Sequence, residues 1–303
     1  MPNIRSNEYW EKTDLYEPFE TRAHRFRDEM RPVFYRWLGI APEARILDAG
    51  CGTGVFTRYL AAGLTTGHIT GADINKVFIE YGKQKSRESG LSGKMTLDIA
   101  DGYHLPYADE TFDAVTNYTY VGVLADPEAG FREMTRVCKQ GGVVSCVIAT
   151  NSFTKPAWHG DYPFDPDREL QRLADRESEI FALYMKKRND SYPDELMLYK
   201  RLGYKNIHLY PFGHMICYSD TNLPLEYRKK IALDEAREEI GWLKSRYDDN
   251  AEIYNAHGFT IGDYNRMAEL LEAKLKYLSD HFDMDESYEW HGGFNYIVAA
   301  KKN

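Results

Sequence analysis

The sequence predicts an α/β fold in which a mostly parallel sheet carries helices on both faces. Two observations predict it. Short apolar segments alternate with amphipathic ones between about residues 41 and 150, and a glycine-rich turn follows the first apolar segment. The chain has 303 residues, which is more than one compact core needs and few for two large independent domains. We therefore expect one sheet domain with helical additions.

Seven segments have the apolar composition of strands, so the expected sheet is seven-stranded. They are residues 45–50, 68–73, 95–100, 112–117, 143–149, 206–210 and 294–300. Apolar residues at helical spacing indicate helices at residues 56–64, 75–89, 127–138, 170–184, 193–202, 225–247 and 262–280. Residues 1–40 show the same helical spacing.

This pattern predicts three regions. Residues 1–40 form an N-terminal helical cap segment, and residues 41–150 form a Rossmann-like nucleotide-binding core. Residues 151–303 hold helical insertions, at about 151–190 and 213–288, together with the last two strands. Two interpretations of the insertions stay open. They form a cap over the ligand crevice, or they only thicken the domain or provide a homodimer surface.

The composition narrows the function classes. The chain has 38 Lys and Arg against 47 Asp and Glu, a net charge of -9, which disfavours DNA or RNA as a partner. We expect no membrane span, because no run of about 18 apolar residues occurs. The first residues lack the apolar run of a secretory signal. None of the four cysteines forms a C-x-x-C pair, so we expect neither a zinc site nor a redox motif, and a cytoplasmic protein without a bound metal.

The glycine-rich turn lies in Ile46–Gly54, where a buried strand is followed by the start of a helix. A dinucleotide-binding loop has the pattern G-x-G-x-x-G. Counted from Gly50, the third glycine of that pattern falls on Val55, and counted from the next glycine it falls on Thr57. Asp48 would also face a pyrophosphate with a negative charge. A ligand with an ammonium group and no phosphate suits this loop better, although Asp48 could instead be a structural acid that loop amides satisfy.

Acidic residues also follow the next two strands. Asp73 ends the second strand, where a carboxylate can accept both hydroxyls of a ribose. Asp101 follows the third strand, where it can accept the amino group of an adenine. Because the ends of neighbouring parallel strands line one crevice, Asp48, Asp73 and Asp101 can share one nucleoside ligand.

Four segments carry a family resemblance. Ile46–Gly54 resembles the first motif of class I S-adenosylmethionine-dependent methyltransferases. Asp101–Tyr107 and Thr111–Val115 are similar to the third and fourth motifs of the ubiquinone/menaquinone-biosynthesis-like branch, methyltransferase types 11 and 25. Arg136–Gly142 resembles the R-V-L-K-P-G-G turn of that branch. The resemblance covers about residues 40–150.

The resemblance implies a methyltransferase that moves a methyl group from S-adenosylmethionine to a small-molecule acceptor by in-line displacement and releases S-adenosylhomocysteine. It implies the following cofactor-binding residues: Asp48, Gly50, Cys51, Gly52, Gly54, Asp73, Ile74, Asp101, Gly102, Asn117 and Tyr118. In this set Cys51 is expected to be a small filler of the loop and not a nucleophile. Two other functions stay open: non-methylating chemistry on the same cofactor, such as cyclisation, and a binding protein that senses the cofactor.

No catalytic base is implied, because residues 121–126 lack the histidines that are common at this place in the family. The candidates are therefore Tyr118, Tyr120, His159 and His214. Of these, Tyr118 ranks first, since it comes directly after the fourth strand and could face the sulfonium or the acceptor.

Overall fold

The computed structural model describes residues 20–150, 157–159, 163–187, 195–218, 220–282 and 288–303. They divide into two compact units. The first unit holds the described residues within Pro2–Phe153, Tyr192–His214 and Gly293–Asn303, and the second holds those within Thr154–Ser191 and Met215–Gly292. The second unit is therefore assembled from two separate stretches of the chain.

The described strands form a mostly parallel sheet. They are β1 Arg45–Ala49, β2 His68–Asp73, β3 Met95–Ile99, β4 Phe112–Thr116, β5 Cys138–Thr150, β6 Ala157–His159, β7 His208–Cys217 and β8 Tyr288–Lys301. The order β3-β2-β1-β4-β5 is parallel throughout, β8 pairs antiparallel with β5, and β7 pairs with β8. The seven predicted strands are all present, and the predicted fold class is confirmed.

The α-helices of the described residues are α1 Arg31–Leu38, α2 Val55–Ala61, α3 Lys76–Glu88, α4 Pro127–Val137, α5 Glu169–Lys187, α6 Glu195–Arg201, α7 Leu225–Ala256 and α8 Ile261–His281. Short 3-10 turns occur at Thr21–Arg25, Asp28–Met30 and Val121–Val123. The predicted helix over 127–138 ends earlier than its two glycines suggested. Cys138 is already extended and pairs with Phe112, because the register of β4 and β5 shifts at this point.

Side chains alternate along β1 and place one hydrophobic cluster on each face of the sheet. Ile46 belongs to the cluster that includes Phe34 of α1, and Leu47 belongs to the cluster that includes Phe131 of α4 and Tyr199 of α6. All five side chains are buried. Full burial of such a side chain contributes roughly 1.5–3 kcal/mol. The two-sided packing holds the strand ends in fixed positions, which is what the site requires.

Polar caps fix where two helices begin after their strands. The Asn75 side chain accepts a hydrogen bond from the Phe78 amide at the start of α3, and Asp126 does the same for the Ala129 amide at the start of α4. A cap of this kind stabilises a helix by about 1 kcal/mol. The caps therefore fix the turns between strand ends and helices.

The second unit has a core of its own, built from α5, α7 and α8. Leu170, Tyr254, Phe259 and Leu271 belong to one buried cluster in it. Glu177 is buried in the same unit, and it accepts a hydrogen bond of 2.6 Å from the Tyr254 hydroxyl. β6, which the sequence did not predict, pairs with Tyr288–Trp290. The roles of these helices as a cap or a dimer surface stay predictions.

A search of the helices that the structure describes found none long and apolar enough to cross a membrane.

Candidate functional site

A cleft opens where the parallel strands of the first unit end. Its empty volume is about 1070 Å³, including the part that is open to solvent. Four chain segments line it, each of which follows one of the strands β1 to β4, and the segment before α1 closes one end. The lining residues are Arg22, Phe26, Asp48, Gly50, Cys51, Gly52, Thr53, Val55, Phe56, Ala72, Asp73, Ile74, Phe78, Ala100, Asp101, Gly102, Leu105, Tyr118, Thr119, Tyr120, Val123 and Leu124.

The glycine loop depends on backbone geometry that other residues rarely adopt. Gly50 has φ +66°, in the left-handed region. A Cβ at this position would lie 2.0 Å from Cδ2 of Tyr120, so a larger residue would meet that ring as well as the backbone strain. Gly54 has φ +77° and begins α2, but it faces Leu97 and does not line the cleft. A role for Gly54 in cofactor binding stays a prediction, and in the structure its left-handed backbone shapes the helix start.

Asp48 is fully buried at the end of β1 and lines the cleft. Its Oδ2 accepts a hydrogen bond of 2.6 Å from the Thr57 hydroxyl in α2. Its Oδ1 is buried and has no hydrogen-bond partner in the described part of the chain. Burial raises the pKa of this carboxyl to about 7, and the nearby Asp73 adds to the rise. An acceptor atom left unsatisfied costs about 1–3 kcal/mol, so this oxygen favours a ligand that donates to it.

Asp73 lies at the end of β2 and holds two loops together. One carboxylate oxygen accepts from the Gly52 amide at 2.8 Å, and the other accepts from the Asn75 amide at 2.9 Å. Burial raises the pKa of Asp73, while these amide hydrogen bonds oppose the rise. Each oxygen keeps a second lone pair for a ligand hydroxyl. The residue thus fixes the glycine loop as well as lining the cleft.

Asp101 and Gly102 line the cleft after β3, and Ile74 lines it after β2. The Asp101 carboxylate accepts from the Tyr103 amide at 2.9 Å, and its second oxygen lies 3.1 Å from His104 Nδ1. The structure therefore brings acids from three strand ends into one cleft, as the sequence analysis expected.

Cys51 lines the cleft with a half-buried side chain. Burial and the nearby carboxylates raise the pKa of its thiol well above the ordinary value, which keeps it protonated. That agrees with a filler of the loop.

Asn117 was expected to contact the cofactor, but the structure places its side chain behind the cleft. Its Nδ2 donates to the carbonyl of Ser145 and to Sγ of Cys146, and its Oδ1 accepts from the Tyr120 amide. The residue is buried and is not part of the lining. Its role is to anchor the turn after β4, because the amide faces β5 and not the ligand space.

Aromatic residues form the other end of the cleft. The ring of Tyr118 packs edge-on against Phe26 at 5.2 Å between centroids and lies 5.6 Å from Phe56. Arg25 donates from Nη1 to the Tyr118 hydroxyl at 3.2 Å. Arg22 is half-buried and contributes a cation to the same lining.

The segment before α1 is held against the glycine loop by Arg58. Its Nη2 contacts both carboxylate oxygens of Glu20, at 2.8 and 2.6 Å, and its Nη1 donates to the Thr53 carbonyl at 2.7 Å. A paired guanidinium of this kind positions both partners at once.

Three predicted catalytic candidates have different outcomes in the structure. Tyr120 lines the cleft, and its hydroxyl lies against Gly102. The side chains of His159 and His214 lie outside the described part of the chain.

Sequence reasoning missed several lining residues, including Arg22, Phe26 and Thr119. Thr119 has φ +57°, which is uncommon for a residue with a branched side chain. The first two belong to a segment for which no motif was available. For Thr119, the sequence offers one signal, which is its position shortly after the end of a predicted strand.

Residues 47–146 match the family described as Methyltransferase domain. Methyltransferase GfsG of Streptomyces halstedii is 30% identical over 134 residues, which is 44% of this chain and 46% of that protein. Ubiquinone/menaquinone biosynthesis C-methyltransferase UbiE of Geotalea daltonii is 37% identical over 105 residues, 34% of this chain and 45% of that protein. The chain spans about half the length of these curated relatives.

Among solved structures, phosphoethanolamine N-methyltransferase 2 of Haemonchus contortus, in complex with S-adenosyl-L-methionine, has a TM-score of 0.51 and 17% identity. The match covers 100% of this chain and 60% of that one, and at this identity it supports the fold alone. The resemblance found in the sequence is confirmed for the matched segment. Residues 47–146 are thus similar to a methyltransferase domain.

Proposed function

We propose that this chain is an S-adenosylmethionine-dependent methyltransferase that acts on a small-molecule acceptor. The buried, unpartnered Oδ1 of Asp48 carries the proposal. Asp48 lines the cleft, and no described residue donates a hydrogen bond to this oxygen. The ligand that suits this oxygen brings an ammonium group together with a nucleoside.

The remaining residues suit the rest of such a ligand. Asp73 would accept hydrogen bonds from the ribose hydroxyls with the lone pairs that the Gly52 and Asn75 amides leave free. Asp101 and Gly102 would contact the edge of the adenine, against which Ile74 would pack. The glycine loop would approach the methionine part closely, because its backbone carries no side chain toward the open space at Gly52.

S-adenosylmethionine, when bound, would supply a methyl group on a positively charged sulfur, and the neutral thioether of S-adenosylhomocysteine would be the leaving group. The protein therefore has to orient the acceptor and exclude water. Phe26, Phe56 and Tyr118 form an apolar wall that can exclude water at one end of the cleft. The Tyr118 hydroxyl, fixed by Arg25, is the polar group in this wall that can hold the nucleophilic atom of an acceptor.

The acceptor that suits this end is apolar and flat, and Arg22 adds a site for a carboxylate. The carboxylate could belong to the acceptor or to the methionine end of the cofactor. A nucleic acid acceptor is disfavoured, because the net charge of -9 opposes phosphate binding.

Two measurements test the proposal. Calorimetry should detect S-adenosylhomocysteine binding at micromolar Kd, about -8 kcal/mol, and no NAD binding. A screen of flat aromatic acids and phenols, with S-adenosylmethionine as methyl donor, should give acceptor-dependent S-adenosylhomocysteine formation. Binding of NAD alone would contradict the cofactor, and tight cofactor binding with no turnover on any acceptor would favour a cofactor sensor.

A further inference from the structure

The Tyr120 side chain lies between two loops that line the cleft. Its ring lies over Gly50, where an added Cβ would be 2.3 Å from Cγ and 2.0 Å from Cδ2. Its hydroxyl lies over Gly102, where an added Cβ would be 1.5 Å away. The side chain thus fills the space that side chains at both glycines would need, and it runs from the glycine loop to the segment after β3.

The backbone of Tyr120 is fixed from behind. Its amide donates to Oδ1 of Asn117 at 3.3 Å, and its carbonyl accepts from the Val123 amide at 3.0 Å. Asn117 is itself bonded to β5 through the Ser145 carbonyl. The direction of the ring is therefore set by the sheet.

The hydroxyl oxygen of Tyr120 is buried and has no hydrogen-bond partner in the described residues. Phenol hydroxyls that are buried usually have a hydrogen-bond partner, because a buried donor without one loses its hydrogen bonds to water and gains none in return. The pKa of this hydroxyl is raised by burial and by the nearby Asp73, so it stays a donor at neutral pH. The Tyr120 hydroxyl lies at Gly102, and both Gly102 and the neighbouring Asp101 line the cleft.

We propose that Tyr120 positions the nucleobase of the cofactor, through a hydrogen bond between its buried hydroxyl and the base edge at Asp101–Gly102. The inference rests on the proposed cofactor. It assigns Tyr120 a role in base binding and not in catalysis, whereas Tyr118 stays a catalytic candidate at the aromatic end. A glycine is then required at residue 102, because any side chain there would displace the Tyr120 hydroxyl.

The test compares two ligands and two variants by calorimetry. S-adenosylhomocysteine carries the base and the amino acid part, and 5′-methylthioadenosine carries the base without the amino acid part. Tyr120→Phe should weaken binding of both by the same factor, about fivefold to tenfold, because the lost hydrogen bond is to the base. Without ligand, this variant should unfold at the same temperature as the wild type or higher, because an unsatisfied hydroxyl is removed.

Tyr107→Phe is the matched control. The Tyr107 hydroxyl is bonded to Asp98 at 3.0 Å and does not line the cleft. This change should lower the unfolding temperature and leave both affinities within twofold of the wild type. A residue with a merely structural role would show that pattern and not the one expected for Tyr120→Phe.

The outcomes distinguish a failure of the proposed base contact from a failure of the proposed function. Unchanged affinity of Tyr120→Phe for both ligands overturns the base contact, and weakened binding of S-adenosylhomocysteine alone assigns the hydroxyl to the amino acid part instead, which also overturns it. If the wild type binds neither ligand, the proposed function fails, and the failure is seen before any variant is made.

Discussion

The two ends of the cleft are built in different ways. One end consists of acids at strand ends and of a glycine loop, with Asp48, Asp73 and Asp101 held by backbone amides and a threonine. The other end consists of Phe26, Phe56 and Tyr118, with arginines beside them. The first end depends on short motifs of continuous sequence, and the second depends on three separate segments that meet only in the folded chain. Variants at each end should therefore fail in different ways.

Gly50→Ala should have the largest effect. The added Cβ meets the Tyr120 ring at 2.0 Å and the left-handed backbone is strained as well. We expect the free energy of unfolding to fall by about 2–4 kcal/mol and S-adenosylhomocysteine binding to be lost. Chemical denaturation and calorimetry measure the two effects.

Gly90→Ala is the control for that substitution. Gly90 has φ +68°, but a Cβ there would have open space around it. It should cost only the backbone strain, about 1–2 kcal/mol, and leave cofactor affinity unchanged. Equal losses in both variants would show that the Tyr120 contact does not matter.

Asp73→Ala should come next. The change removes the proposed ribose contact and also the acceptor for the Gly52 amide. We expect cofactor binding to weaken by about 2–4 kcal/mol, as for two charge-assisted hydrogen bonds. Asp98→Asn on the neighbouring strand is the control, since Asp98 pairs with Tyr107 and does not line the cleft. Unchanged affinity in Asp73→Ala would remove the residue from the site.

Asp48 should make cofactor binding depend on pH. Its pKa of about 7 means that the free protein carries a proton on this carboxyl below pH 7, and the ammonium group of the ligand needs the ionised form. Affinity for S-adenosylhomocysteine should therefore fall by up to tenfold per pH unit as the pH falls from about 7. Asp48→Asn should remove this dependence and weaken binding about tenfold at pH 8.

Stability should change in the opposite direction at this residue. Because the folded-state pKa is raised from 3.8, the folded protein holds the proton more tightly than the unfolded chain. Stability is then lost as the pH rises from about 4 through 7. Asp48→Asn should raise Tm at pH 8 and have little effect at pH 4, and a Tm that falls at pH 8 would contradict the buried charge.

These contrasts also explain what could be predicted from the sequence. The strand ends and the acids were predictable, because apolar periodicity and glycine spacing are local properties of the chain. Asn117 was misplaced, because a residue after a strand can face the sheet or the ligand, and its bonds to β5 decide this in the folded state. Phe26 and Arg22 could not be found, since nothing in a helical pattern tells which residue reaches a distant cleft.

Tyr118→Phe should sharpen the difference between the two ends. It keeps the ring contacts with Phe26 and removes the hydroxyl that Arg25 holds. We expect kcat to fall about fivefold to tenfold with the acceptor that turns over fastest in the screen, and S-adenosylhomocysteine affinity to stay within twofold. Tyr210→Phe is the control, because Tyr210 stacks on Trp37 outside the cleft. A change in cofactor affinity with unchanged kcat would mean that the Tyr118 hydroxyl contacts the cofactor and not the acceptor.

The smallest effect is expected at Arg22, the cation among the described residues that line the cleft. Arg22→Gln should weaken binding of a carboxylate about threefold to fivefold, because a half-exposed ion pair contributes at most about 1 kcal/mol. Arg36→Gln, on the exposed side of α1, is the control and should have no effect.

Two probes separate the sources of the carboxylate that Arg22 would bind. If Arg22 binds the cofactor, the variant loses affinity for S-adenosylhomocysteine and not for its decarboxylated analogue. If Arg22 binds the acceptor, both cofactor affinities are unchanged and the protein saturated with S-adenosylhomocysteine binds benzoate more weakly. Equal behaviour of Arg22→Gln and Arg36→Gln with every probe would mean that the aromatic end recognises shape without charge, and the acceptor would then be sought among neutral flat molecules.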